Sequence, residues 1–130
     1  MAALALGAAL LGAAEQAQDC ADLPSQAAMN ECADHAYRRA DAAVDAAYRE
    51  IVARLAGNEA GLARLEAAQR AWIAFRDAEC TFATAAATDG SGRPYLQATC
   101  LDDLAQTRLD QLQDYLDCQD GDLSCPVPPP

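Results

Sequence analysis

The sequence predicts an all-α protein, a small up-down bundle of three main helices that is stapled by disulfides. Apolar residues recur at spacings of three and four in three stretches, which is the period of an amphipathic helix. Gly57-Asn58 and the segment 88–94, TDGSGRP, separate these stretches and are typical of turns and loops. The third observation is six cysteines in 130 residues, since a chain of this length forms one small domain that gains from cross-links.

Residues 1–14 form an apolar run of small residues and leucines, which predicts a signal peptide. The run is too short to cross a bilayer as a helix, and it ends in Gly12-Ala13-Ala14, a small-x-small pattern that suits signal peptidase. No basic residue precedes Arg38, so we interpret the segment as a signal peptide truncated at its start; the alternative is a frayed apolar helix. We therefore expect an exported protein, periplasmic or secreted, with no integral membrane segment in the mature chain.

The mature chain is expected to contain one helical domain and a short tail. The helical domain covers 15–117, and an extended lead-in over 15–24 opens it. The tail covers 118–130 and ends in Pro-Val-Pro-Pro-Pro, which cannot continue a helix. Its two cysteines can close it with a disulfide.

The first helix is predicted over 26–56, with Ser25 as its N-cap and Gly57-Asn58 as its stop. Its apolar stripe consists of Met29, Ala33, Ala36, Tyr37, Ala40, Val44, Ala47, Tyr48, Ile51 and Leu55. Asp41 lies at the edge of this stripe. It either pairs with an arginine from another helix or stays an ordinary exposed aspartate.

The second helix, predicted over 59–85, is apolar on two nearly opposite faces. The first face consists of Leu62, Leu65, Gln69, Trp72, Ile73, Arg76 and Cys80. The second face consists of Ala68, Ala71, Phe75, Ala78 and Phe82. Such a helix is either sandwiched between other elements or offers one side to a partner, and we expect the sandwiched arrangement.

The third helix is predicted from Pro94 to Asp117, because proline suits the first turn of a helix. Its apolar arc has Arg108 near the centre. The opposite side carries an acidic stripe of Asp103, Asp110, Asp114 and Asp117. Like charges one turn apart destabilise a helix, so local stability does not explain the stripe. Solubility or a cationic partner remains as the reason for it.

The six cysteines favour disulfides, since export places them in an oxidising compartment. No C-x-x-C occurs and His35 is the only histidine, so neither a redox pair nor a metal site is predicted. In an up-down bundle the second helix ends beside the start of the third, which favours sequential bridges. The predicted pairs are Cys20–Cys32, Cys80–Cys100 and Cys118–Cys125.

The block Gln69-Arg70-Ala71-Trp72…Arg76-Asp77…Cys80, framed by further cysteines, resembles the LprI-like lysozyme-inhibitor N-terminal domain family. The resemblance covers residues 20–116 and implies a small, exported, mostly helical protein. The chain departs from the family at Val44-Asp45, where Leu-Asn is usual, and in the Cys118–Cys125 tail. No residue of the shared pattern maps onto a catalytic role in the family.

The shared polar residues are interpreted as structural. A buried arginine needs a carboxylate or several carbonyls as partners. We expect one buried or half-buried polar network that ties the three helices together. Its members are Asp41, Gln69, Trp72, Arg76, Asp77 and Arg108.

The formal net charge of −11, from 20 acids and nine arginines with no lysine, predicts that nucleic acid and anionic membranes are repelled. Such a charge favours a basic partner or serves solubility. With the resemblance, it favours a steric inhibitor of lysozyme-type muramidases, with the acidic stripe as the steering surface. The alternative is a structural or stress-related envelope protein with another partner and no effect on lysozyme.

An enzyme is not predicted. One histidine and six paired cysteines leave no Ser/His/Asp or Cys/His set, and the chain has no glycine-rich phosphate loop. No cofactor is expected either. The oligomeric state does not follow from the sequence.

Overall fold

The computed structural model of the chain describes residues 19–87, 90–119 and 121–130, so the expected signal peptide over 1–14 lies outside the described residues. The described residues form three long helices and no strand, which confirms the all-α fold. The helices are α1 (Gln26–Arg54), α2 (Glu59–Ala83) and α3 (Arg93–Leu116), and a 3-10 turn at Ala85–Ala87 follows α2. All six helix ends fall within two residues of the predicted ends.

Capping residues set the boundary between the first two helices. Ser25 caps the start of α1, where its hydroxyl accepts a hydrogen bond from the Ala28 amide at 3.1 Å. Gly57 follows the helix with a φ of 86°, a left-handed conformation that a side chain disfavours. Asn58 then caps α2 by accepting from the Gly61 amide at 2.9 Å. This short turn therefore ends one helix, starts the next and reverses the chain.

The three helices run up, down and up. α1 and α3 start together, since the Asn30 side-chain amide donates to the Ser91 carbonyl at 3.1 Å. They also end together, since Arg54 Nη1 donates to the Leu116 carbonyl at 2.7 Å. α2 runs the opposite way, and its last turns are joined to α3 by a disulfide. Arg54 thereby places a positive charge at the C-terminal end of α3, where the helix dipole favours a cation.

The core lies mainly between α1 and α3, and much of it is alanine. Its buried side chains on these two elements are Ala33, Ala36, Ala40, Val44, Ala47, Ile51, Leu55, Ala98, Ala105 and Leu112. Alanine adds little bulk, so the helices approach closely, as ridge-into-groove packing of small side chains allows. Each alanine also buries little area, and the fully buried Ile51 and Leu112 supply a large share of the hydrophobic stabilisation.

Helix α2 lies at the edge of this core. Cys80 is its one fully buried residue. The half-buried α2 side chains that pack on the core are Leu62, Leu65 and Trp72. The second apolar face is open, since Phe75 and Phe82 are 54% and 78% exposed. The expected sandwiched arrangement is therefore wrong: α1 and α3 pack on each other and leave α2 only one side to cover.

Three disulfides staple the bundle, and they join the cysteines in the expected sequential order. The pairs are Cys20–Cys32, Cys80–Cys100 and Cys118–Cys125, with Cα–Cα distances of 5.5, 5.6 and 5.6 Å. The first bridge holds Cys20 against α1, where it is buried. Asp19 and Cys20 are helical and a turn follows, so the lead-in is not extended there.

The proline-rich tail contributes to the core through one side chain. Val127 is 3% exposed and packs with the α1 and α3 core residues. The Cys118–Cys125 bridge turns the chain back after α3 and makes this contact possible. Leu123, inside the same loop, is fully exposed. The tail therefore covers one end of the core, and Val127 and the Cys118–Cys125 disulfide hold it there.

We expect Val127→Ala to lower the free energy of unfolding by about 1–3 kcal/mol, because it removes buried methyl groups and leaves a cavity. Leu123→Ala is the matched control in the same loop and should change it by less than about 0.5 kcal/mol, as for other exposed positions. Urea unfolding followed by circular dichroism measures both. Equal effects of the two substitutions would show that the tail does not seal the core.

Candidate functional site

The first polar cluster surrounds Arg76 and joins α1 to α2. Its guanidinium contacts the Asp77 carboxylate at 2.9 Å and the Asp41 carboxylate of α1 at 3.4 Å. It also lies over the rings of Trp72 and Tyr37, 5.3 and 5.9 Å from their centroids. Burial raises the pKa of Tyr37, although the Arg76 charge acts in the opposite direction. Two carboxylates and two aromatic faces thus hold one half-buried cation.

The second polar cluster surrounds Arg108 and joins α3 to α2. Arg108 is 8% exposed. Its Nε donates to Gln69 Oε1 at 3.0 Å and its Nη1 to Gln111 Oε1 at 3.1 Å. Burial lowers the pKa of the Arg108 guanidinium, and no carboxylate of the described residues forms an ion pair with it. This cation is held by neutral amide oxygens alone.

The expected network of Asp41, Gln69, Trp72, Arg76, Asp77 and Arg108 is divided between these two clusters. No hydrogen bond between described residues connects the Arg76 cluster to the Arg108 cluster. Gln69 and Arg76 lie on the same face of α2 but two turns apart along its axis, and each meets a different neighbouring helix. Tyr37 and Gln111 were missed, although Tyr37 lies one turn before Asp41 and Gln111 one turn after Arg108.

The acidic stripe of Asp103, Asp110, Asp114 and Asp117 is exposed along α3. None of its carboxylates forms an ion pair within residues 19–87, 90–119 and 121–130. Four arginines of α1 and α2, by contrast, pair with an acid one turn earlier. These pairs are Arg38–Asp34, Arg49–Asp45, Arg54–Glu50 and Arg70–Glu66. Among the three described helices, α3 therefore has the largest number of acids without an ion pair to a described residue.

Asp103 has the most unusual environment within the stripe. Partial burial raises the pKa of its carboxyl, and the charge of the adjacent Asp102 raises it further. Asp102 is buried and accepts a long hydrogen bond from Gln106 Nε2 at 3.4 Å. Two neighbouring carboxylates at this point cost stability when both are ionised.

An open groove of about 560 Å³ lies between α1 and α2. The aromatic Trp72 and Tyr48 line it together with Arg76 and Asp41, so its walls mix apolar and charged groups. Within the described part of the chain, no three His, Cys, Asp or Glu side chains come together as metal ligands. His35 lies exposed beside Glu31, 3.6 Å from its carboxylate. None of the described helices is long and apolar enough to cross a membrane.

These features define a class: a small, disulfide-bonded, all-helical protein with two structural arginine clusters and an open acidic surface. The chain belongs to the LprI lysozyme inhibitor family, since the family described as "Lysozyme inhibitor LprI" matches residues 17–112. An uncharacterised protein of Rhizobium meliloti (strain 1021) is 36% identical over 110 residues, which cover 76% of this chain and 79% of the relative. No solved structure matches the chain significantly.

We expect Arg76→Ala and Arg108→Ala each to lower the free energy of unfolding by about 1–3 kcal/mol, because each removes a largely buried side chain whose packing and charged hydrogen bonds tie α2 to a neighbouring helix. Arg70→Ala is the control, because it removes an exposed ion pair with Glu66 on α2. It should lower the free energy of unfolding by less than about 1 kcal/mol. Because the clusters share no partner, the double variant should be additive within about 0.5 kcal/mol. Chemical unfolding of the wild type, the three single variants and the double variant measures this, and a coupling energy well above that value would show one network.

We expect Asp103→Asn to raise the melting temperature at pH 7. The folded-state pKa of Asp103 is raised, so the folded protein holds this proton more tightly than the unfolded chain, and ionisation at neutral pH costs stability. The gain should disappear below the ordinary aspartate pKa of 3.8, where both states are protonated. Melting curves from pH 3 to 8 test this, with Asp110→Asn as the control. An equal gain for both variants would assign the effect to overall charge.

Proposed function

We propose that this protein is exported and inhibits lysozyme-type muramidases by docking on them as an acidic partner and blocking the glycan cleft sterically. Membership of the LprI lysozyme inhibitor family supports the activity. The structural observation that carries the proposal is the acidic stripe: four exposed carboxylates along one helix, none in an ion pair with a described residue.

The charge distribution supports α3 as the docking surface. Lysozyme-type muramidases are commonly strongly basic, and a net charge of −11 attracts them over long distances. On α1, Arg38, Arg49 and Arg54 each neutralise an acid of the same helix, so that helix presents a mixed surface. On α3, Arg108 is buried and Arg93 lies at the first residue, and the aspartates of the acidic stripe occupy the outer face. A basic protein is therefore steered towards α3.

The disulfides support export. Three bridges in so small a domain are typical of the periplasm or the extracellular space, where thiols are oxidised. A core built largely of alanines gains from them, because closing a loop of about 15 residues stabilises by roughly 3 kcal/mol in the chain-entropy description. A rigid domain also loses little conformational entropy on binding.

Steric inhibition requires no chemistry of the inhibitor. The family is described by an inhibitory role, and the polar residues of the shared pattern are engaged in holding helices together. Arg76 and Arg108 contact neighbouring helices and not a common cavity. We therefore assign no catalytic residue.

One observation favours the alternative function of an envelope protein with another partner. Phe75 and Phe82 are exposed on the outer side of α2, and contact through the aspartates of α3 does not require them. Exposed aromatic side chains are typical of binding surfaces. In that case lysozyme would be unaffected and a different protein would cover α2.

We expect the wild-type protein to slow the lysozyme-catalysed clearing of cell-wall suspensions. Replacing the four aspartates of the acidic stripe by asparagine should weaken inhibition at least tenfold at low ionic strength. The difference should shrink at high salt, because exposed charges are screened beyond about 3 Å at 1 M. Turbidity measurements over a range of inhibitor and salt concentrations give these values.

The matched control removes the same charge from α1. Its four substitutions are Glu31→Gln, Asp34→Asn, Asp45→Asn and Glu50→Gln. This control should keep most of the inhibition, because its acids lie outside the stripe and three of them are already paired. Equal losses in both variants would mean that only net charge matters. If the wild-type protein does not inhibit lysozyme at large molar excess and low salt, the proposal is wrong and the envelope protein with another partner remains.

A further inference from the structure

A second groove lies where the end of α1, the first half of α2, α3 and the tail meet. Its volume is about 340 Å³, at the small end of the range for ligand pockets. Most of its lining is apolar. The apolar lining residues include Ile51, Leu55, Leu65, Ala68, Pro126 and Val127. We call it the tail groove.

Two cations line the tail groove, Arg108 and Arg64. Arg108 uses Nε and Nη1 to hold Gln69 and Gln111, and its Nη2 forms no hydrogen bond within the described residues. No fully buried side-chain nitrogen or oxygen of these residues lacks a partner, so Nη2 is accessible rather than sealed in the core. Arg108 thus lines the groove with a largely buried side chain that keeps one guanidinium nitrogen accessible.

These two arginines differ from most others in the chain. Arg38, Arg49 and Arg70 each pair with an acid four residues earlier. Arg64 and Arg108 have no acid three or four residues away on either side, and neither forms an ion pair with a described residue. In a protein of net charge −11, two cations that no described carboxylate pairs with thus line the same apolar groove.

We propose that the tail groove binds a single-chain amphiphile with a carboxylate head, such as a medium-chain fatty acid. The carboxylate pairs with Arg108 at Nη2 and with Arg64. It thereby supplies a negative charge that no described residue provides to either arginine. The acyl chain lies along Leu65, Ala68 and Pro126, the accessible apolar side chains of the groove. This site is separate from the acidic stripe and does not depend on lysozyme inhibition.

Three physical arguments favour this class of ligand. A guanidinium binds a carboxylate by two parallel charged hydrogen bonds, and the pair is strongest where water is excluded. Each buried methylene tightens binding roughly threefold to fourfold, so affinity rises with chain length until the groove is full. The acidic surface elsewhere repels anions, which disfavours non-specific adsorption of the same compound.

Isothermal titration calorimetry with hexanoate, octanoate and decanoate, below their micelle concentrations, tests the proposal. We expect affinity to rise along this series, and decan-1-ol and acetate to bind at least tenfold more weakly than decanoate. Binding of decan-1-ol as tight as decanoate would overturn the role of the arginines. Absence of decanoate binding would overturn the site.

Substitutions on exposed positions of α2 locate the binding without disturbing the core. Arg64→Gln should weaken decanoate binding at least fivefold, and Ala68→Phe, which fills the groove, should abolish it. The controls on the same helix are Arg70→Gln and Ala67→Phe, which lie outside the tail groove and should bind like the wild type. Near-ultraviolet circular dichroism verifies the fold of each variant. Decanoate binding that survives Ala68→Phe in a folded protein would place the ligand elsewhere.

Discussion

The close packing of α1 on α3 determines the rest of this structure. It is possible because the facing positions are largely alanines, which let the two helices approach and bury Ile51 and Leu112 completely. Once these helices satisfy each other, α2 has only an edge to occupy, and a few half-buried side chains hold it there. A disulfide at its C-terminal end and two arginine clusters along its length supply the remaining attachment. The openness of its outer face and of the grooves beside it follows from that arrangement.

The two arginines that attach α2 do so by different chemistry. Arg76 is compensated by carboxylates and aromatic rings, so it is a complete ion-pair site with its charge neutralised. Arg108 is buried, and its hydrogen bonds within the described part of the chain go to amide oxygens, which do not neutralise its charge. A buried ion without a counter-ion is costly, and a protein with 20 acids has ample means to provide one. The difference in partners separates Arg76, whose role is structural, from Arg108, for which we propose an anionic ligand.

Periodicity predicted the helices well because their signals are local. Ser25, Gly57 and Pro94 mark helix ends through backbone chemistry that does not depend on the rest of the fold. Sequential disulfides followed from the up-down topology for a similar reason. The position of α2 was not predictable in this way, since an apolar face such as Phe75–Phe82 carries no information on whether another element covers it. Val127 was missed because its burial depends on a bridge-closed tail, which has no periodic pattern.

The two arginine clusters were also predicted only in part, and the spacing of acids around each arginine is a sequence signal that distinguishes them. All six predicted network residues take part in the two clusters or stack on them, but their division depends on which helix each α2 residue meets. The arginines that pair within a helix have an acid four residues earlier, whereas Arg108 has no acid three or four residues away although α3 contains four aspartates. Three of them, Asp103, Asp110 and Asp114, are exposed on other faces of the helix, so Arg108 lines the tail groove while these carboxylates face solvent. One 24-residue helix can therefore present a cation to a small anionic ligand on one side and an acidic surface to a basic protein on the other.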